Sequence, residues 1–409
     1  MRIAITSNGP GEFAGWVRPL AAALFRLAPD TDVTLFFVPD DFATGREPDV
    51  ARQMFPRARV VSREAYTRFA FGGRVAGVPE RVDVVQYLGG DLLHAVRVHA
   101  RLGGSGRSYK FANKQVANRF DLVYAIDEKN AAQMRAAGFG AERVVVVGNL
   151  AVDGALAEAA GAFSQSAPEA AIEPGGILVM PGTRRHEVSN GLPFFLQMAV
   201  RLRSMRPDLQ LAFAVSPFTS DHEIAHALAR GGHRNVWGTR GWTAPLGAGI
   251  GLVAASGGAP FPVVRDAMRH AVRASMVVTL PGTKCIELAA LGVPAIVCTP
   301  INAPEIVVIN GPLQYLDRLP YVGRLIKRSV VIAVDARFPL TAQPNIDANE
   351  MLMPELRGTL TPGHVARAVA TYADDASARA RASVRLRALY ADHAGAAERM
   401  ARSLLGVAV

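Results

Sequence analysis

Short apolar runs alternate along this chain with stretches in which apolar residues return every three or four positions. Residues 2–7 hold Ile3 and Ile5 in a run too short for a helix and predict a buried strand, whereas 14–27 set Trp16, Leu20, Leu24 and Leu27 on one stripe and predict a helix. The same reasoning predicts strands at 32–39, 59–61, 83–88, 122–126 and 144–147, with helices at 92–102 and 129–137. Residues 157–176 lack this periodicity and are rich in Ala, Ser, Pro and Gly, the composition of a linker. The rhythm then restarts, with strands at 176–180, 209–215, 251–254, 276–278 and 295–298 and helices at 192–203, 222–230, 263–274 and 284–291. Residues 361–409 predict helix almost throughout.

Strands that alternate with helices make a parallel sheet covered on both faces, the doubly wound plan. A chain of 409 residues is also too long for one hydrophobic core. The expected fold class is therefore α/β, with two Rossmann-like doubly wound domains and a central cleft, the GT-B plan of B-type glycosyltransferases. The expected division is a first domain over 1–156, a linker over 157–175, a second domain over 176–375, and terminal helices over 376–409 that return to the first domain.

Composition narrows the function classes. Half of the residues are hydrophobic and a fifth are charged, which leaves no room for a long disordered tail. The net charge of +10 admits nucleic acid, an anionic membrane surface or anionic small substrates as partners. No basic and aromatic recognition module is visible, so nucleic acid is not expected. The basic residues near the C-terminus, Arg379, Arg381, Arg385, Arg387, Arg399 and Arg402, read as a solvated helical face or as a surface for acidic lipid headgroups. The two cysteines, Cys285 and Cys298, stand in apolar stretches and not in a ligand pattern, so neither a disulfide framework nor a zinc site is expected. Met1 runs directly into Ile3 and Ile5 without the apolar core of a signal peptide, and the longest uncharged stretch, 241–264, is broken by Pro, Ser and Gly. A cytoplasmic protein follows, with membrane contact only at its surface.

Four turns fall at the carboxyl ends of predicted strands, where open parallel sheets bind ligands. The first, Ser7–Gly15, offers glycines for close backbone approach and Glu12 near a helix N-terminus. It also mimics a dinucleotide fingerprint, with Asp40 and Asp41 after the second strand, but Pro10 occupies the phosphate-facing turn. The second ends in Gly89-Gly90-Asp91, where Asp91 reads either as a helix N-cap or as a general base. The third, Pro181-Gly182-Thr183-Arg184-Arg185-His186-Glu187, joins a glycine turn to a helix N-terminus beside a guanidinium, a pattern suited to a diphosphate. The fourth, Gly282-Thr283-Lys284-Cys285-Ile286-Glu287, again starts a helix from a Gly-Thr turn, with a carboxylate one turn inside that can accept from both hydroxyls of a ribose. It lacks the upstream glycine of a Walker loop, so an ATPase is not expected.

These runs, in this order, resemble lipid-A-disaccharide synthases: Pro-Gly-Thr-Arg-x-x-Glu at 181–187, Gly-Thr-x-x-x-Glu at 282–287, and Pro344-Asn345-Ile346 followed by Pro354-Glu355-Leu356. Gly11-Glu12-x-x-Gly15, the Asp91 segment and Val147-Gly148-Asn149 extend the resemblance over about residues 5–360. It implies an inverting, metal-independent hexosyltransferase that moves a (di)acylated glucosamine-type sugar from UDP to a lipid sugar phosphate on the inner face of the cytoplasmic membrane. Asp91 and Glu12 would be the catalytic and acceptor-side residues, the first domain would face the acceptor, and the second would hold the UDP-sugar. Gly182, Thr183, Arg184 and Glu187, with Gly282, Thr283 and Glu287, would grip the nucleotide, and Asn345 and Glu355 would shape the donor pocket. No cofactor and no metal are implied, since the helix N-terminus and Arg184 would neutralise the diphosphate.

The chain departs from the family on the acceptor side. Trp16 stands where Asp commonly follows the Gly-Glu-x-x-Gly run, Tyr109–Lys114 replaces a Trp-rich segment, and Leu150 replaces a usual Pro. The segment 313–328, which interleaves Tyr315, Leu319, Tyr321 and Leu325 with Arg318, Arg324 and Arg328, reads as a bilayer contact or as an amphipathic packing element. Two other classes stay open: a UDP-sugar epimerase or hydrolase on the same scaffold, and a UDP-sugar-binding protein without catalysis.

Overall fold

A parallel sheet covered on both faces needs strands that are largely apolar, and most of the first seven strands meet that demand. They are β1 (Arg2–Ser7), β2 (Asp32–Phe37), β3 (Arg59–Val61), β4 (Val84–Tyr87), β5 (Ser105–Tyr109), β6 (Leu122–Ala125) and β7 (Val144–Val146). The structure is a computed structural model that describes residues 1–40, 43–111, 118–163, 172–302, 337 and 339–407. The chain divides into two units: Met1–Ala157 with Tyr390–Val409, and Glu158–Leu389. The predicted linker falls partly on residues outside those described, and the segment 313–328 lies wholly outside them.

In unit 1 the strands run parallel in the order β3-β2-β1-β4-β5-β6-β7. After β1 the chain is continuously helical over Pro10–Glu12, Phe13–Val17 and Arg18–Leu27, and the middle segment is a π turn. Pro10 starts this helix at a position where a missing N–H costs nothing. Leu20 and Leu24 of the predicted stripe are fully buried, and each such leucine stabilises the fold by about 2 kcal/mol. The helix Ala396–Leu404 packs against Arg18–Leu27 within this unit, and Arg26 pairs with Glu398 at 2.8 Å. Asp153 holds the start of that terminal helix by accepting from the amides of Gly395 (2.7 Å) and Ala397 (2.6 Å).

Unit 2 holds β8 (Ile177–Met180), β9 (Leu211–Ala214), β10 (Gly241–Leu246), β11 (Gly249–Ala254), β12 (Phe261–Val264), β13 (Met276–Thr279), β14 (Ala295–Pro300) and β15 (Glu355–Gly358). Their order is β10-β11-β12-β9-β8-β13-β14-β15; β11 pairs antiparallel with β10 and with β12, and the remaining pairs are parallel. The core is built on Phe195, Leu196, Phe213, Val179 and Val278.

One sequence expectation changes here and another, the strand at 251–254, is extended. The pattern of 263–274 predicts a helix, yet Val263 and Val264 belong to β12 and only Ala267–Ala271 is helical. The uncharged stretch 241–264 makes three strands, because Gly247, Gly257 and Gly258 take positive φ and turn the chain back on itself. Strand β5, with Ser, Gly and Arg among its five residues and little apolar signal, has no counterpart among the predicted elements.

The C-terminal helices are Pro362–Asp374, Ala376–Leu389 and Ala396–Leu404. Their arginines serve mostly as caps and ties: Arg379 donates to the carbonyls of Tyr372 and Ala373, Arg387 to Leu291, Arg399 to Val147 and Ala394, and Arg385 pairs with Glu350. Both cysteines are buried and form no disulfide, and burial pushes the thiol of Cys285 up to about 12. Among the described residues no helix is long and apolar enough to cross a membrane.

Candidate functional site

An open parallel sheet has a topological switch point, where successive connections leave a central strand in opposite directions and the loops part to leave a crevice. In unit 1 that point lies between β1 and β4, which pair from Ile3↔Val84 to Thr6↔Tyr87. In unit 2 it lies between β8 and β13, which pair from Ile177↔Met276 to Met180↔Thr279. The four loops at these carboxyl ends are the four turns singled out in the sequence.

At the switch point of unit 1, the turn after β1 and the turn after β4 press together. Gly89 has a positive φ of 156° and faces Asn8, so a Cβ at this position would overlap Asn8 Oδ1 and approach Glu12 Cβ to 3.1 Å. Asn8 donates from Nδ2 to Asp40 Oδ2. Asp91 is the N-cap of the helix Leu92–Leu102: its Oδ1 accepts from the Leu93 amide at 2.8 Å. One helical turn on, His94 Nδ1 meets the Tyr66 hydroxyl at 2.8 Å. Burial lowers the His94 pKa, against the opposing pull of Asp91 and Asp40. Burial also pushes the Tyr87 phenol up, and the negative charges of Glu12, Asp91 and Asp40 add to the rise. In the same region, Asn8 Oδ1 and Gln86 Oε1 are buried without a hydrogen-bond partner among the described residues, an uncommon condition that calls for a ligand or a functional role.

Sequence patterning includes Asn8 in the first turn and Lys110 in the 109–114 segment without giving either a role, and it does not single out His94. The Asp-x-x-His spacing of 91 and 94, which puts both side chains on one face of a helix, is the available signal for His94. Lys110 follows the unexpected strand β5 in a left-handed conformation, with φ of 63°. Its Nζ stands 5.5 Å from the ring centre of Trp16 and 5.9 Å from that of Phe111.

At the switch point of unit 2, Gly182 again has positive φ, and a side chain there would overlap Glu187. Glu187 turns back over the helix N-terminus. Its Oε2 accepts from the amides of Thr183 (2.9 Å) and Arg184 (3.1 Å), and its Oε1 lies 3.3 Å from Arg184 Nη1. The amides that the sequence offered to a diphosphate are therefore held by this carboxylate. On the adjoining loop, Gly282 is the N-cap of the helix Thr283–Ala290, and Glu287, 4% exposed, pairs with Lys284 Nζ at 2.6 Å.

Asn345 and Glu355 are turned into the protein. Asn345 is fully buried on the helix Gln343–Ala348; its Nδ2 donates to Met353 O (2.7 Å) and Glu355 Oε1 (2.8 Å), while its Oδ1 accepts from the Met353 amide (2.8 Å). Glu355 also accepts from the Thr341 hydroxyl (2.6 Å) and from the amides of Thr341 and Ala342. Burial alone would raise its pKa, but these hydrogen bonds outweigh that cost and hold the carboxyl below its ordinary range. The pair positions the loop that precedes β15. Val147-Gly148-Asn149 is likewise structural: the Asn149 amide donates to His393 O at 3.0 Å, and a Cβ on Gly148 would strike the same carbonyl.

Two Rossmann-like α/β units in one chain define the fold class as that of the GT-B scaffold. Solved structures share this fold over essentially the whole chain. S. aureus MnaA in its UDP co-structure superimposes with a TM-score of 0.59 at 12% identity, covering 100% of this chain and 97% of that one. UDP-GlcNAc 2-epimerase from Neisseria meningitidis, bound to UDP-GlcNAc, gives 0.57 at 10% identity, covering 99% and 100%. By sequence, the lipid-A-disaccharide synthase of Geobacter sulfurreducens is 24% identical over 208 residues, which is 50% of this chain and 41% of that protein. The match thus spans about two fifths of the curated relative's length. No protein-family model matches the chain.

Proposed function

We propose that this protein is an enzyme acting on a UDP-activated sugar, and that its chemistry is completed on the nucleotide sugar itself, as in an epimerase or a hydrolase. One observation carries the nucleotide part: the Gly182 and Gly282 turns leave neighbouring strands in register at one switch point. A pyrophosphate requires backbone dipoles and a fixed cation, which Thr183, Thr283 and Arg184 supply, and a ribose requires a carboxylate acceptor, which Glu287 supplies. To seat the pyrophosphate on the amides of Thr183 and Arg184, Glu187 has to yield them. Asp91 acts as general base, with Glu12 as the second carboxylate of the unit 1 switch point. The whole-chain fold likeness to a UDP-GlcNAc 2-epimerase supports chemistry that needs no second substrate.

Transfer of a (di)acylated glucosamine-type sugar from UDP to a lipid sugar phosphate at a membrane surface is the second reading. The 24% sequence match and the order of the 181–187, 282–287 and 344–356 motifs favour it.

One assay separates the two. Purified protein is incubated with UDP-GlcNAc, with and without a lipid sugar phosphate, and the nucleotide is followed by phosphorus NMR. Epimerisation or hydrolysis consumes the UDP-sugar in the absence of the lipid; transfer releases UDP only in its presence. Binding of UDP without turnover under either condition would mark a binding protein and defeat both readings. Asp91→Asn keeps the helix cap and removes the base, so it is expected to bind UDP normally and to turn over at least about 100-fold more slowly. Unchanged UDP affinity in both Arg184→Ala and Glu287→Ala would remove the nucleotide site.

A further inference from the structure

Unit 2 carries a second concave site that the nucleotide reading does not use. A cavity of about 720 Å³ is lined by Arg201, Ser204 and Met205 from the helix Arg185–Met205, by Trp237, and by Arg367 from the helix Pro362–Asp374. Arg201 lies fourteen residues beyond Glu187 on the same helix, about 21 Å further along its axis.

Several arginines of this unit meet carboxylates, among them Arg185 with Glu223, Arg206 with Asp208 and Asp374, and Arg385 with Glu350. Arg201 and Arg367 are exposed and, among the described residues, neither has a hydrogen-bond or ion-pair partner. Two like charges on one concave surface repel each other, and an anion between them removes the repulsion. Guanidinium forks suit the paired oxygens of a phosphate or carboxylate.

Trp237 adds a flat apolar face. It is 47% exposed and sits in the left-handed region at φ of 54°, which side-chain-bearing residues avoid. The loop is pinned in that shape from behind. The Thr239 amide donates to Pro193 O at 3.1 Å, and a Cβ on Gly238 would come within 2.7 Å of Gly231 O and of Pro193 Cβ. The indole is thus 47% exposed and shares the cavity lining with Arg201 and Arg367 instead of being buried.

We propose that this cavity binds a small organic phosphate that carries a flat ring, with Arg201 and Arg367 on the phosphate oxygens and Trp237 stacked on the ring. The ring distinguishes this ligand class from inorganic phosphate, and the concave shape distinguishes it from a lipid surface.

Phenyl phosphate is the probe, titrated into the full chain with tryptophan fluorescence as the readout. The expected result is a saturable change that disappears in Trp237→Phe. Arg201→Ala or Arg367→Ala should each weaken the affinity about tenfold. Inorganic phosphate should compete at higher concentration. Glu287→Gln should bind phenyl phosphate as the wild type does, which keeps this site separable from any failure of the nucleotide assignment. A change that does not saturate, one that persists in Trp237→Phe, or wild-type affinity in both arginine variants would overturn the proposal. All three substituted side chains are exposed, so circular dichroism should confirm an unaltered fold.

Discussion

The ammonium of Lys284 stands 2.6 Å from the carboxylate of Glu287, one turn further along the same helix. The glutamate side chain is 6% exposed and the lysine 23%, so the pair is largely withdrawn from water. Removing one partner of such a pair leaves an uncompensated buried charge, a larger loss than removing both. Lys284→Met is therefore expected to lower stability by about 3 kcal/mol in urea denaturation. Adding Glu287→Gln to it should restore most of that loss. An unchanged urea midpoint in Lys284→Met would show that the pair does not hold the helix.

Glu187 and Arg184 divide their roles differently. The Glu187 carboxylate satisfies two amides at the helix start, so Glu187→Ala should cost about 1–2 kcal/mol. Arg184 is 45% exposed and its ion pair to Glu187 is 3.3 Å long; Arg184→Ala should cost well under about 1 kcal/mol of stability. Its expected effect is on UDP affinity, measured by calorimetry. A stability loss in Arg184→Ala equal to that in Glu187→Ala would contradict this division.

Glu355 predicts a dependence on pH. Its folded pKa lies below the ordinary carboxylate value, so its contribution is complete above the unfolded pKa and declines as the pH falls through the folded one. The stability difference between the wild type and Glu355→Gln should be largest near neutral pH and shrink in acid below the ordinary carboxylate pKa. Denaturation midpoints at about pH 7 and at about pH 3.5, an acid value chosen below the reference pKa of about 4.3, provide the check. A difference that grows in acid would reverse the sign.

Gly89 provides a test confined to unit 1. A methyl group at this position overlaps Asn8 Oδ1, and the backbone φ of 156° disfavours any side chain. Gly89→Ala should cost about 1–3 kcal/mol in thermal unfolding as the Asn8 turn is pushed aside. UDP affinity should stay at the wild-type level, because the nucleotide turns belong to the other unit. A matching loss of UDP affinity would tie the nucleotide to the Asn8 and Gly89 turns as well.

Much of this protein can be read from its linear pattern. The apolar periods locate most of the strands and helices, and glycines near Asp91, Arg184 and Glu287 mark the turns that carry polar chemistry. These are local properties: a run of Ile and Val specifies a buried strand, and a glycine before a helix specifies a tight turn, wherever the segment ends up. Strands β5 and β10 escape this reading because their small and polar residues carry little apolar signal, and β12 because its Val263 and Val264 read equally as the start of a helix, whereas β11 is anticipated at 251–254.

Only the tertiary structure decided which turns meet. Pairing of β1 with β4 and of β8 with β13 joins segments about 80 and 100 residues apart, a choice made by burying whole sheet faces and not by either segment alone. It also decided where side chains point. Glu187 folds back over its own helix amides, and Asn345 is sealed against Glu355, because buried polar groups must find partners in whatever surroundings the fold supplies. The sequence held the chemistry of the candidate site; the long-range pairing of strands set its geometry.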